Sequence, residues 1–170
     1  MVLLKFLPLN FFTGCENTWP GSWIRHGQWA FAVTETVHIV VLGMLLGTII
    51  VVDLNLLGFG VRRQSAAELT SDLAPWTWSA LALMALTGIP LFMSEALRLS
   101  KSGPFFYKML FLSVAIIIHA SIFGRAKLGS GIGAGFGRLM GALSLLCWLG
   151  VALAGRAIAF PFLLHFGSTP

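Results

Sequence analysis

Five ionisable residues stand inside stretches that are otherwise apolar enough to cross a lipid bilayer: Glu35, His38, Asp53, His119 and Arg156. Each costs a few kcal/mol at membrane depth even on lenient insertion scales, so such residues are retained for pairing or for function. Glu35 and His38 are three residues apart and therefore share one face of a helix. Lys108 and Arg156 fall at similar depth on other stretches, which makes an imidazole, an acid and two cations available in one layer. An imidazole with counter-charges can ligate a haem iron while the cations hold its propionates, hydrogen-bond a quinone, or pass a proton. Asp53 and His119 form a second set towards the other face, where an acid beside an imidazole would set the ring's tautomer.

The elements that must position these groups are four apolar spans, at about 29–58, 75–97, 104–123 and 139–160. Each can supply the roughly 20 residues of helix that a hydrocarbon layer needs. Over 170 residues, 57% are hydrophobic and 10% charged, and the mean hydropathy is +0.88. A soluble domain would carry about 25% charged residues, so that class is excluded. The fold class is all-α: an integral membrane four-helix bundle over 29–166, preceded by an interfacial N-terminal arm over 1–28. The net charge of +5 does not point to nucleic acid, because the cations flank span ends: Arg62–Arg63, Arg98 with Lys101, and Arg125 with Lys127. Lipid headgroups read such a pattern.

Cys15 and Cys147 imply no disulfide framework. The residues from Phe12 to Cys15 have a weak likeness to a lipoprotein cleavage box, but Lys5, Pro8 and Asn10 interrupt any signal core, so the arm is read as uncleaved. Trp19, Trp23 and Trp29 are its expected interfacial anchors. Gly43 and Gly47 make a small-xxx-small face on which a neighbouring helix is expected to pack closely. Ser65 to Glu68 can start a short surface helix, Gly88 and Pro90 predict a kink, and Pro104 suits a helix first turn. The glycine-rich 124–137 stretch has no G-x-G-x-x-G register and reads as an inter-span loop.

Four spans place both termini on one side, here side A. The positive charges then tie, with Lys5, Arg25, Arg98, Lys101 and Lys108 on side A against Arg62, Arg63, Arg125, Lys127 and Arg138 on side B. From the helical rise, His38 lies ~13 Å from the middle of its span towards side A. Met93, Glu95, Lys108 and Arg156 share that level, and charges gathered there are expected to neutralise one another, with Glu35–Arg156 as one tie. Asp53 and His119 lie ~9 and ~6 Å towards side B. The two histidines then differ in depth by ~19 Å, too far to be axial ligands of one upright haem. His38 would need Met93, or His165 folding back, as its partner. The plain alternatives are a structural histidine, a snorkelling lysine and a packing methionine.

Glu35-Thr-Val-His38, Gly47 and Asp53-Leu-Asn-Leu-Leu-Gly58 stand in span 1, with Thr87-Gly88 and Glu95 in span 2, Phe106 and Lys108 in span 3, and Gly155-Arg156 in span 4. In these residues the chain resembles an uncharacterised bacterial four-helix membrane family, a DUF6644-like domain of unknown function distantly similar to cytochrome b561- and CopD-like bundles. Asn55 departs from the basic residue expected there, and His119 is not clearly called for. The resemblance implies a multi-pass protein of the bacterial cytoplasmic membrane and no established activity.

The leading functional expectation is an electron-transfer subunit, binding haem b or a quinone. His38 and His119 are candidate haem ligands, and Met93, Glu35, Lys108 and Arg156 complete the layer. A second is a non-catalytic accessory subunit of a respiratory or photosynthetic complex, with other membrane subunits as partners. A third is proton or metal-ion transport. A stand-alone enzyme is the less favoured reading, since no hydrolase motif is present.

Overall fold

The computed structural model describes residues 9–59, 64–128 and 133–159, and every regular element in them is a helix. In chain order they are α1 (Leu9–Glu16), α2 (Trp19–His26), α3 (Ala30–Leu57), α4 (Ala66–Ser94), α5 (Ala96–Ser100), α6 (Gly103–Lys127) and α7 (Ala134–Ala159). The four long ones, α3, α4, α6 and α7, are each long and apolar enough to span a bilayer.

Helix α3 stops where Gly58 takes φ 92°, a left-handed conformation that glycine adopts without strain, and its N–H caps the carbonyls of Leu54 and Asn55. Helix α4 starts nine residues before the expected Pro75. Ser65 and Glu68 close a capping box, but the helix that follows is the span itself and not a separate surface turn. Pro75 is tolerated because it is exposed, as is Ser71, whose carbonyl loses the N–H partner. The same helix runs past Pro90 to Ser94 and breaks at Glu95, short of the expected end at 97. Helix α6 begins with Pro104 in its first turn and with the Ser102 hydroxyl accepting from the Phe105 N–H. At the other end α6 continues to Lys127, and α7 starts at Ala134, so most of the glycine-rich stretch lies in helix ends.

The long helices form a ring in which α3 packs on α4 and α7, and α6 closes it against both. Val41, Leu45, Ile49, Ala80, Ala115, Trp148 and Val151 fill the middle, and Val52, Leu56, Ile118 and Ile122 fill the side-B half. Ile39, Val40, Leu86, Ile117, Leu146 and Leu153 face outwards, as lipid contact requires. Gly43 and Gly47 lie on that outer side of α3 with nothing within 4 Å of where a Cβ would be, so the expected close approach does not occur there. The buried stripe of α3 runs through Val41, Leu45, Ile49 and Val52, at helical spacing, and leaves the two glycines on another face.

The N-terminal arm is docked on the side-A end of the bundle, α1 against α5 and α4, α2 against α4 and α3. Phe12 and Ile24 are buried under it, while Trp19 and Trp23 stack on its exposed surface. The Glu16 carboxylate holds it: one oxygen accepts from Arg25 at 2.9 Å, the other from the Leu97 N–H at 2.9 Å. Glu16→Gln retains the shape and loses the charge on both bonds, a loss of about 1–3 kcal/mol. Amide exchange at Leu97 is therefore expected to quicken by about tenfold. An unchanged rate would show that the arm is held otherwise.

Candidate functional site

On the side-A half, three helices converge on His38. Thr87 of α4 has a single hydroxyl proton, which it donates to the Leu83 carbonyl at 2.8 Å, with the Met84 carbonyl at 3.3 Å. With that proton on the carbonyl, the Thr87 oxygen accepts from the Nδ1–H of His38, 2.7 Å away. In the neutral imidazole this leaves the lone pair on Nε2, the arrangement that readies a histidine to ligate a metal or accept a proton. Gly88 makes room for the ring: a Cβ there would lie 3.0 Å from His38 Cε1. Lys108 of α6 is within electrostatic reach of the imidazole, and its Nζ lies 3.9 Å from where a Cβ on Gly155 of α7 would be.

The rest of the expected layer is dispersed. Glu35 is half-buried on the His38 face, but no ion pair joins it to Arg156, which is exposed one residue beyond Gly155. Glu95 pairs with Arg98 at the end of α4, because the helix breaks there and turns the carboxylate towards α5. Met93 is five residues past Gly88, about 8 Å along the helix, and its carbonyl abuts Gly21 of α2. His165 lies outside the described residues, and His26 is exposed at the end of α2. Thr87 is the partner of His38 that sequence reasoning missed. Its mid-span hydroxyl, level with His38 on an antiparallel neighbour, was the available signal.

On the side-B half, Asp53 is fully buried and does not pair with His119. Ser144 of α7 faces it at a geometry short of a hydrogen bond, and the Asp53 carbonyl is 2.9 Å from the Cβ position of Gly141. His119 instead sets its ring edge-on to Trp78, centroids 6.0 Å apart. With Leu45, Ile49, Thr77 and Trp148 it lines a cavity of about 10 Å³, room for about one water molecule. The Thr77 hydroxyl donates to Thr48 at 3.1 Å. Both Asp53 oxygens, Ser144 Oγ, His119 Nδ1 and Trp148 Nε1 are buried without a hydrogen-bond partner among the described residues. Between the two halves lies an apolar septum of Val41, Leu45, Ala80, Ala115 and Val151.

A haem bridging the histidines does not fit. Thr87 marks the level of His38 and Trp78 that of His119, roughly 14 Å apart along α4. His38 offers one axial position, and among the described residues neither Met93 nor another histidine reaches its level. No three His, Cys, Asp or Glu side chains gather into a metal-holding group among those residues.

No curated protein and no solved structure matches the chain, so the likeness to cytochrome b561- and CopD-like bundles finds no support there. The model of a family of unknown function, DUF6644, matches residues 11–161, which take in the docked arm, all four long helices and both polar layers, and the chain belongs to that family.

Proposed function

We propose that this membrane protein is a subunit of an electron-transfer assembly in which the His38–Lys108 layer binds the head group of a quinone or quinol. The observation that carries the reading is the Thr87–His38 bond, which in the Nδ1–H tautomer presents a lone pair on Nε2 within the electrostatic reach of a cation at hydrocarbon depth. A quinol hydroxyl can donate to that nitrogen, and Lys108 can hydrogen-bond the oxygen of an anionic or neutral head group. Both side chains are half-buried and not sealed in the core, which suits a ligand arriving from the lipid. Haem b, were it bound, would be held by His38 alone with Lys108 towards a propionate, and the iron would supply one-electron chemistry. The bilayer would be the cytoplasmic membrane of a bacterium, with both termini on one side. The apolar septum favours binding at separate sites over a continuous ion relay.

The test is a fluorescence titration of the purified protein in lipid nanodiscs with a short-chain quinol. Lys108→Ala is expected to weaken binding tenfold or more, the loss of one charge-assisted bond of about 1.5–3 kcal/mol. Equal binding by wild type and variant overturns the quinone reading. A Soret band lost in His38→Ala would convert it to the haem form. The open Gly43–Gly47 face favours a second reading, a non-catalytic accessory subunit whose partner helix packs there. Stoichiometric co-purification with a partner, lost in Gly47→Leu, would support it.

A further inference from the structure

We infer that Asp53 and Ser144 form a proton-binding site in the side-B half of the bundle: the carboxyl group takes up one proton from water and holds it in a hydrogen bond to Ser144 Oγ. Four observations converge on it. Asp53 is 0% exposed, and neither of its oxygens has a partner among the described residues. Ser144, also 0% exposed, faces it from α7 with its own hydroxyl oxygen unpartnered. Among the described residues, no cation pairs with a carboxylate there. Among the described residues, His119 on α6 and Cys147 on α7 are the titratable groups inside the side-B half on the surrounding helices, Lys108 of α6 lying in the other half. Glu68 and Asp72 on α4, Arg125 and Lys127 on α6, and Arg138 on α7 are exposed, and none of these bonds to Asp53. Finally, the cavity beside His119 and Trp148 lies about one turn away, on the residues i−4 from Asp53 and i+4 from Ser144.

An isolated carboxylate in an apolar interior is far costlier than a neutral acid with one hydrogen bond. Protonation removes the charge and converts the group into a donor, and Ser144 Oγ is the acceptor that faces it. The bond that forms is O–H at an Asp53 carboxyl oxygen, and hydroxide is left in the water that gave the proton. A water in the cavity can also satisfy His119 Nδ1 and Trp148 Nε1, the other two orphaned atoms. The site involves no quinone and no residue of the His38 layer, so the two readings fail separately.

Infrared spectroscopy of the full chain in lipid vesicles at neutral pH tests it, with no ligand added. The wild type is expected to show the C=O stretch of a protonated carboxylic acid, above the amide I band and sensitive to deuterium oxide. Asp53→Asn is expected to lose that band. Ser144→Ala is expected to retain it at higher frequency, because the hydrogen bond to the hydroxyl is gone. Absence of the band from the wild type overturns the proposal, as does its survival in Asp53→Asn. If Asp53→Asn does not fold, an unshifted band in Ser144→Ala overturns it instead.

Discussion

His38→Ala is expected to weaken binding of a short-chain quinol by tenfold or more while leaving the melting temperature in detergent almost unchanged. The ring is half-buried at the edge of the bundle, so its removal leaves little cavity in the core, whose centre is Val41, Leu45 and Ile49. Binding loses the acceptor at Nε2, a bond worth about 1–3 kcal/mol in a site where the ligand hydroxyl has no replacement partner. Thr87→Val removes the hydrogen-bond partner of Nδ1 and should weaken binding to an intermediate degree, whereas Thr87→Ser retains the hydroxyl and most of the affinity. Gly88→Ala would put a methyl group 3.0 Å from His38 Cε1 and turn the ring away by a few tenths of an ångström. Fluorescence titration of the four variants checks the series. Identical affinities for wild type and His38→Ala would remove the ligand from this layer.

Gly141→Val is expected to be strongly destabilising, because Gly141 sits where α7 crosses α3. A Cβ at 141 meets the Asp53 carbonyl at 2.9 Å and Leu56 Cβ at 3.1 Å, neither of which is the movable end of a flexible side chain. Helices α3 and α7 must separate to admit it, an overpacking cost of about 1–3 kcal/mol or more. In a chain of this size each kcal/mol lowers the melting temperature by about 2–4 °C. Gly43→Val is the control: nothing lies within 4 Å of its Cβ position, so the bundle itself loses no packing. Equal melting temperatures for the two variants would show that α7 does not approach α3 as closely as this at Asp53. The control also separates fold from assembly, since a defect of Gly43→Val that appears only in a larger complex places a partner helix on that face.

The number of membrane-spanning helices was legible because length and apolarity suffice for it: no other backbone arrangement satisfies its own hydrogen bonds in hydrocarbon over such runs. Helix ends were less legible. The proline at 75 looked like a start and is an interior residue, since a capping box that begins ten residues earlier, at Ser65, nucleates the helix and an exposed turn carries the lost bond. Likewise the glycines at the start of α7 looked like loop and are helical.

The sequence also marked the candidate residues for chemistry, because a charge or imidazole at membrane depth announces itself by its cost. Their pairing was not readable. Depth along a helix follows from counting residues, but which face a residue presents depends on how neighbouring helices rotate and pack. That rotation put Thr87, and not Met93, against His38; it put Ser144, and not His119, opposite Asp53; and it left Gly43 and Gly47 facing outwards while Gly141 took the tight crossing. Side-chain partnership is a property of the interfaces between helices, and those are decided by packing of the whole bundle, which no single span encodes.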